Sequence, residues 1–136
     1  MGAWGTGIFE NDYAADWVAG LEDSTTSFPV VAALQSASTD EYLAGRESCV
    51  ALVAAEVVAA LKGNPASGLP KEVVSWIRSR HLQINEDLIR LAQEAIRRIE
   101  TQSELLELWH ESQELSGWRA TIKDLERRLG AARPNR

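Results

Sequence analysis

The sequence predicts an all-α protein: a single compact bundle of about six or seven short helices spanning residues 1–136. Apolar residues recur every three or four positions through most of the chain, which is the period of one helix face. Nowhere do apolar and polar residues alternate over the length of a β-strand. Helix-capping residues and breakers divide the periodic stretches into short segments, which favours several helices over one long one.

The glycine-rich start of the chain predicts an arm that folds back onto the core. Glycines and large apolar residues are interleaved here: Gly2, Trp4, Gly5, Gly7, Ile8 and Phe9. Glycine permits tight turns and close approach, and large aromatic rings gain free energy when buried. We therefore expect Trp4 and Phe9 to insert between helices. Asn11 or Asp12 is then expected to cap the first helix.

The first three helices follow in order. The first has one apolar face: Tyr13, Ala14, Trp17, Val18 and Leu21. A second, short helix is expected at Pro29, because proline is favoured in the first helical turn. The third helix is predicted from about Asp40 to Lys62. Ser38 and Glu41 have capping-box spacing before it, and Gly63 after it is a good terminator.

The third helix is apolar almost all round from residue 49 to 61, with Glu56 as the exception. A helix without a polar face is usually buried on several sides, so we place it at the centre of the bundle. Burying an unpaired carboxylate is costly. Three interpretations of Glu56 follow. It faces solvent on a narrow polar edge of the helix, or it pairs with an internal partner, namely an arginine, a Trp indole or backbone amides of the arm. The third is a catalytic acid with a raised pKa. Arg46, ten residues earlier, points to nearly the opposite side, so a partner must come from elsewhere.

The second half of the chain is predicted to be helical as well. Residues 63–70 contain Pro65, Gly68 and Pro70, which predict a loop. If the bundle has two halves, we expect the boundary between them at this loop. Later helices are expected to begin at caps or breakers: Pro70, Asn85, Ser103, and Trp118 after a break at Ser116–Gly117. The last helix ends at Gly130, and the tail 131–136 is expected to fray.

Composition narrows the classes of partner. A net charge of −6 and a pI near 4.9 argue against a nucleic-acid binder that neutralises phosphates. An acidic surface instead favours a basic protein partner. The single cysteine excludes an intramolecular disulfide and fits a reducing cytoplasm. The longest apolar run is too short to span a bilayer, so we expect a cytoplasmic protein that does not cross a membrane.

A carboxylate cluster is the best candidate for chemistry. Asp12 and Asp16 stand one helical turn apart with Glu10 close by, and such a group could hold a divalent cation. The simpler interpretation is that Asp12 caps the helix and Asp16 favours its positive end. No Glu-x-x-His motif completes a metal site, and the glycine arm lacks the lysine of a phosphate-binding loop. No catalytic residue, cofactor or metal is predicted.

The opening motifs resemble a known family. Met-Gly-Ala-Trp-Gly-Thr-Gly at 1–7, Phe-Glu-Asn-Asp at 9–12 and Ala-Ala-Asp-Trp at 14–17 are similar to the start of the bacterial domain-of-unknown-function family numbered 4259. The resemblance continues at 54–60 and returns at 105–112 and 118–129. Ile8 departs from it, because proline is expected before the phenylalanine. The resemblance implies a small, soluble bacterial protein and supplies no catalytic residue.

Two functions follow as expectations. The first is a non-catalytic protein-binding module, immunity- or antitoxin-like, whose acidic face covers a basic partner. The alternative is a small hydrolase or metal-dependent enzyme built from Glu10, Asp12, Asp16 and Glu56. Small size, acidity and the lack of catalytic motifs favour the first. The candidate functional or structural residues are Trp4, Phe9, Asn11, Asp12, Asp16, Trp17 and Glu56.

Overall fold

A computed structural model describes residues 5–38, 41–80 and 82–131. Within these ranges it contains seven α-helices and no β-strand, which confirms the all-α prediction. The helices are α1 (Asp12–Leu21), α2 (Phe28–Ala37), α3 (Gly45–Leu61), α4 (Lys71–Arg80), α5 (Glu86–Thr101), α6 (Glu104–His110) and α7 (Leu115–Gly130). Trp4 and most of the expected fraying tail lie outside the described residues.

The third helix is the centre of the bundle, as its apolar composition predicts. Each of the other six helices packs against α3, and α2 and α5 also pack against each other. Every residue from 51 to 59 is buried, including Glu56. Because α3 has neighbours on all sides, it needs no polar face.

The predicted start of α3 near Asp40 is wrong. The helix begins at Gly45, whose backbone N–H donates to the Glu104 carboxylate at 2.7 Å. The segment before it pairs with the α5–α6 junction: the Leu43 N–H donates to the Gln102 carbonyl, and the Glu104 N–H donates to the Leu43 carbonyl. This long-range pairing uses the backbone groups that a longer helix would have used.

The end of α3 follows the prediction. Gly63 adopts a positive φ of 101°. The N–H of Asn64 donates to the Ala59 carbonyl at 2.9 Å, and the N–H of Gly63 donates to the Ala60 carbonyl at 3.0 Å. These two bonds are the Schellman pattern, which a glycine in the left-handed region permits.

Three of the expected helix caps are also confirmed. The side chains of Asn11, Asn85 and Ser103 each accept a hydrogen bond from the backbone N–H three residues later. These bonds satisfy amide donors that have no partner inside the helix. Local signals therefore fix the starts of α1, α5 and α6.

The predicted break at Ser116–Gly117 is wrong. Both residues lie inside α7, and the Trp118 N–H donates to the Glu114 carbonyl at 3.0 Å. Gly117 lies beside the arm, and a Cβ atom added there would make an ordinary van der Waals contact of 3.5 Å with the Thr6 methyl group. The arm therefore passes close to the first turn of α7.

From Gly5 onwards the arm packs on the core, as predicted. Ile8 is only 6% exposed. The arm lines a small crevice together with side chains of α3, α6 and α7: Cys49, Leu52, Leu105, Trp109 and Trp118. Phe9 was expected to insert between helices, but it is only half-buried at the edge of the core, since Ile8 takes the buried position. Ile8 is thus the residue that anchors the described part of the arm.

Candidate functional site

The predicted site residues occupy two separate places. Glu56 lies in the core, where α3 meets α7. The others that the structure describes lie on α1 or just before it: Phe9, Asn11, Asp12, Asp16 and Trp17. The structure does not bring the core carboxylate and the α1 residues together into one cluster.

Glu56 has an arginine partner from the last helix. Arg128 Nη1 and Nη2 donate to the two carboxylate oxygens of Glu56 at 2.8 and 2.9 Å. The Glu56 and Arg128 side chains are only 3% and 9% exposed. Of the three interpretations of Glu56, the internal partner is therefore the one observed. A two-bond, fork-like pair of this kind is among the strongest hydrogen-bond geometries in proteins.

The pair continues into a network at the end of α7. Arg128 Nε donates to Asp124 at 2.8 Å. Burial alone would lower the pKa of Arg128, but the hydrogen bonds and charges of Glu56 and Asp124 outweigh it and raise that pKa. Burial likewise opposes ionisation of Asp124, yet Arg127 and Arg128 hold its pKa below the usual value. Arg128 and Asp124 are therefore both charged near neutral pH.

Further bonds join the same two helix ends. Lys62 Nζ donates to the Leu129 carbonyl, and Asn64 Nδ2 donates to the Arg128 carbonyl at 3.1 Å. In return, Arg128 Nη1 donates to the Asn64 carbonyl at 3.3 Å. Glu56 thus belongs to a structural connection between α3 and α7.

The carboxylates at the start of α1 have different roles. Asn11, not Asp12, caps the helix, accepting from the Ala14 N–H at 2.9 Å. Glu10 accepts from the Gly7 N–H at 3.0 Å, and a Cβ atom on Gly7 would lie 2.3 Å from the same carboxylate oxygen. Asp12 and Asp16 are exposed. In the described part of the chain, no group of three or more His, Cys, Asp or Glu side chains is placed to hold a metal ion.

One side of α1 borders an open groove of about 430 Å³, which we call the α1–α3 groove. Its α1 wall carries the aromatic rings of Tyr13 and Trp17 and the carboxylate of Asp16. Arg46, at the start of α3, lines the opposite wall. Its remaining lining residues are Gly20, Leu21, Pro29 and Val50. The groove therefore combines apolar rings with charges of both signs.

The other side of α1 borders a second groove of about 350 Å³, the α1–α4 groove. Its lining is mostly apolar: Phe9, Ala14, Ala15, Val18, Ala19 and Pro70. Its two charged lining residues are Glu22 and Glu72, both exposed carboxylates. These two side chains also line an adjoining cavity that contains Lys71 and Arg80.

Exposed negative charge is grouped around α1 and, in a second segment, around α6, where residues 99–118 hold five glutamates and no lysine or arginine. The first 45 residues hold seven acidic residues and no lysine or arginine. The remaining residues hold thirteen acidic and fourteen basic residues, so they carry a net charge of +1. Five of the seven acidic residues are exposed at α1 or its ends: Glu10, Asp12, Asp16, Glu22 and Asp23.

Tyr42 and Cys49 have unusual pKa values for ordinary structural reasons. The Tyr42 hydroxyl donates to Glu107, and this bond is the main cause that raises the pKa of Tyr42 to about 12. Burial raises the pKa of Cys49 to about 11. Cys49 belongs to the buried core, and a buried, protonated thiol is a poor nucleophile.

The model of the family described as "Domain of unknown function (DUF4259)" matches residues 2–121. The chain belongs to the DUF4259 family. Neither the search of curated proteins nor the search of solved structures found a match. The DUF4259 match covers the arm, helices α1 to α6 and the start of α7, and it assigns no activity to them. Among the described helices of this DUF4259 member, none is long and apolar enough to cross a membrane.

Sequence reasoning missed Arg128 as the partner of Glu56, and it missed the exposure of Tyr13 and the two grooves. Arg128 carries no local signal, because it lies among other arginines of an amphipathic helix. Tyr13 lies on the apolar face predicted for α1, yet it is 38% exposed. The charge segregation, in contrast, is visible in the sequence, where Arg46 is the first basic residue.

Proposed function

We propose that the protein is a non-catalytic protein-binding module, immunity- or antitoxin-like, and that α1 and its two grooves form the surface that covers a basic partner. The observation that carries the proposal is the coincidence of exposed carboxylates, aromatic rings and concave surface on this one helix. Its inner face packs on α3 and α4. The grooves on either side leave the rest of α1 open to a partner.

The exposed aromatic residues support this proposal. Tyr13 is 38% exposed and Phe28, next to the groove residue Pro29, is 72% exposed. Trp17 is half-buried in the α1–α3 groove. Aromatic residues are enriched in protein interfaces because they bury large areas with little loss of side-chain entropy. Their position beside the acidic residues gives the surface both apolar contacts and charge.

The charge distribution suggests the class of partner. A cluster of one sign raises association rates with an oppositely charged surface and disfavours partners of the same sign. Because the acidic residues of the first 45 positions lie mainly around α1, we expect the basic surface of the partner to face this helix.

No arrangement of the described residues favours the enzymatic alternative. Its four carboxylates are in different environments: Glu56 is bound by Arg128, Glu10 accepts from Gly7, and Asp12 and Asp16 are exposed on α1. A hydrolase or metal enzyme would need them to converge on one reacting group or ion.

The test is affinity capture from the source cells with three forms of the protein. These are the wild type, Asp12→Asn/Asp16→Asn on α1, and the control Glu111→Gln/Glu114→Gln, which removes two exposed charges outside α1. We expect the wild type and the control to retain the same basic protein. The α1 variant should lose it, and added salt should weaken the retention because exposed charges are screened.

Equal retention of that protein by the α1 variant would contradict the proposal. So would a retained partner that is acidic, or the absence of any protein that distinguishes the three forms.

A further inference from the structure

We infer that the α1–α4 groove is the docking site for an amphipathic basic helix of the partner, with apolar side chains inside the groove and lysine or arginine over Glu22 and Glu72. This inference rests on the proposed function and names which of the two grooves is used. It also specifies the chemistry of the segment that occupies it.

Charge distinguishes the two grooves. The α1–α3 groove is lined by one carboxylate and one cation, Asp16 and Arg46, so a basic segment placed there would meet a charge of its own sign as well as an opposite one. The charged residues that line the α1–α4 groove are both acidic, Glu22 and Glu72. Electrostatic complementarity therefore favours the α1–α4 groove for a basic segment.

The basic residues beyond these carboxylates do not alter this conclusion. Lys71 and Arg80 line the adjoining cavity and are not among the residues that line the α1–α4 groove itself. The guanidinium group of Arg80 is held by protein carbonyls: Nε donates to Ser24 at 2.8 Å and Nη2 donates to Glu22 at 3.2 Å. The charged side chains that line the apolar groove itself are therefore those of Glu22 and Glu72.

The shape of the groove favours a helix as the occupant. Ala15, Ala19 and Glu22 follow one another along α1 at intervals of three or four residues, and the opposite wall is formed by Pro70 and Glu72 at the start of α4. This row extends for about two helical turns, roughly 10 Å. A partner helix can place residues i, i+3, i+4 and i+7 along such a row. The described chain has no β-strand whose edge a partner strand could extend.

The probe is a synthetic helical peptide about 14 residues long, or roughly 21 Å as a helix. It carries leucine at i, i+3, i+4 and i+7 and lysine at most other positions. A control peptide has the same composition, but its leucines are scattered around the helix. Both are titrated into the full-length, isotope-labelled protein, and the amide chemical shifts are followed by NMR.

Two matched variants block one groove each. Ala19→Leu fills the α1–α4 groove, and Gly20→Leu extends into the α1–α3 groove, where an added Cβ atom meets nothing within 4 Å. Both positions are exposed, so both variants are expected to fold, and their melting curves check this. Glu72→Gln removes one groove charge, and Glu111→Gln removes a charge elsewhere.

The expected result is specific to the α1–α4 groove. The amphipathic peptide should bind more tightly than the scattered control and shift amides of residues 14–22 and 71–76. Ala19→Leu should weaken binding by about tenfold or more, equivalent to ~1.4 kcal/mol. Gly20→Leu and Glu111→Gln should leave the affinity within about twofold, whereas Glu72→Gln should lower both the affinity and its dependence on salt.

Three outcomes would overturn the inference: no detectable binding, equal binding of both peptides, or loss of binding in Gly20→Leu but not in Ala19→Leu. None of these would contradict the proposed function if the capture experiment still retains a basic partner through Asp12 and Asp16. Conversely, if the capture experiment retains no basic partner, the proposed function fails, but the peptide titration still measures whether the α1–α4 groove binds an amphipathic basic helix.

Discussion

At the scale of single residues, the Glu56–Arg128 pair joins the middle of the central helix to the last turn of α7. The two residues are 72 positions apart in the chain. The sequence shows that Glu56 is unusual, because it interrupts an apolar helix and a buried carboxylate needs a partner. It cannot show which of the many arginines supplies the partner, because that depends on how α7 packs on α3.

Removing Arg128 tests this pair. Arg128→Met leaves Glu56 buried without a countercharge and should lower the free energy of unfolding by about 3–5 kcal/mol, measured by urea denaturation. The neighbouring Arg127→Met is the control. Arg127 is 70% exposed and pairs with the half-exposed Asp124, so its loss should cost less than about 1 kcal/mol.

A double variant separates loss of the pair from loss of packing. Glu56→Leu/Arg128→Met removes both charges, and it should be more stable than Arg128→Met alone because no unpaired charge remains in the core. The cycle is completed by the single variant Glu56→Leu. If the double variant is destabilised by the sum of the two single variants, Glu56 and Arg128 have no interaction free energy, which would contradict the pairing.

The reactivity of Cys49 tests the burial of the central helix. The Cys49 thiol is buried, and burial raises its pKa to about 11, so the thiol is protonated at pH 8. A thiol reagent at pH 8 should therefore modify the folded protein slowly and the urea-unfolded protein at the rate of an ordinary cysteine. Rapid modification of the folded protein at that pH would mean that this part of α3 opens easily.

At the scale of helices and loops, local signals predict some boundaries and miss others. Asn11, Asn85 and Ser103 cap helices as their positions predict, since each bond forms within four residues. The start of α3 was missed because Leu43 pairs with the distant Gln102. Gly117 is a weak helix former, yet it lies inside α7, because a single glycine costs a helix only about 1 kcal/mol and packing of the helix outweighs that cost.

Two glycines provide a matched test at this scale. Gly20 lies within α1 with open space around an added Cβ atom, whereas Gly63 ends α3 with φ at 101°. Gly20→Ala should stabilise the protein by about 0.5–1 kcal/mol, because alanine is the better helix former. Gly63→Ala should destabilise it by about 1–2 kcal/mol, because a side chain is disfavoured in the left-handed region. If thermal melting shows a change in stability of the same sign for both variants, this would contradict the placement of Gly20 inside α1 and of Gly63 in the left-handed terminator of α3.

At the scale of the whole molecule, the sequence predicted an acidic protein but not the surface that the charge forms. Counting charges shows that the first 45 residues hold seven acidic residues and no basic one. The two grooves, however, exist only because α1 packs on α3 and α4 with its flanks uncovered. The sequence pattern of α1 does not show which helices pack against it, so the two grooves could be identified only in the folded structure.

The most direct test of the proposed binding surface is hydrogen exchange of the protein, free and in complex with the basic partner retained by capture. Slow exchange in the complex marks amides that the partner covers or stabilises. We predict added protection of residues 12–22 and of the first turn of α4, with α6 exchanging as in the free protein. Unchanged exchange in α1, with protection confined to α6 and α7, would contradict the assignment of α1 as the binding surface.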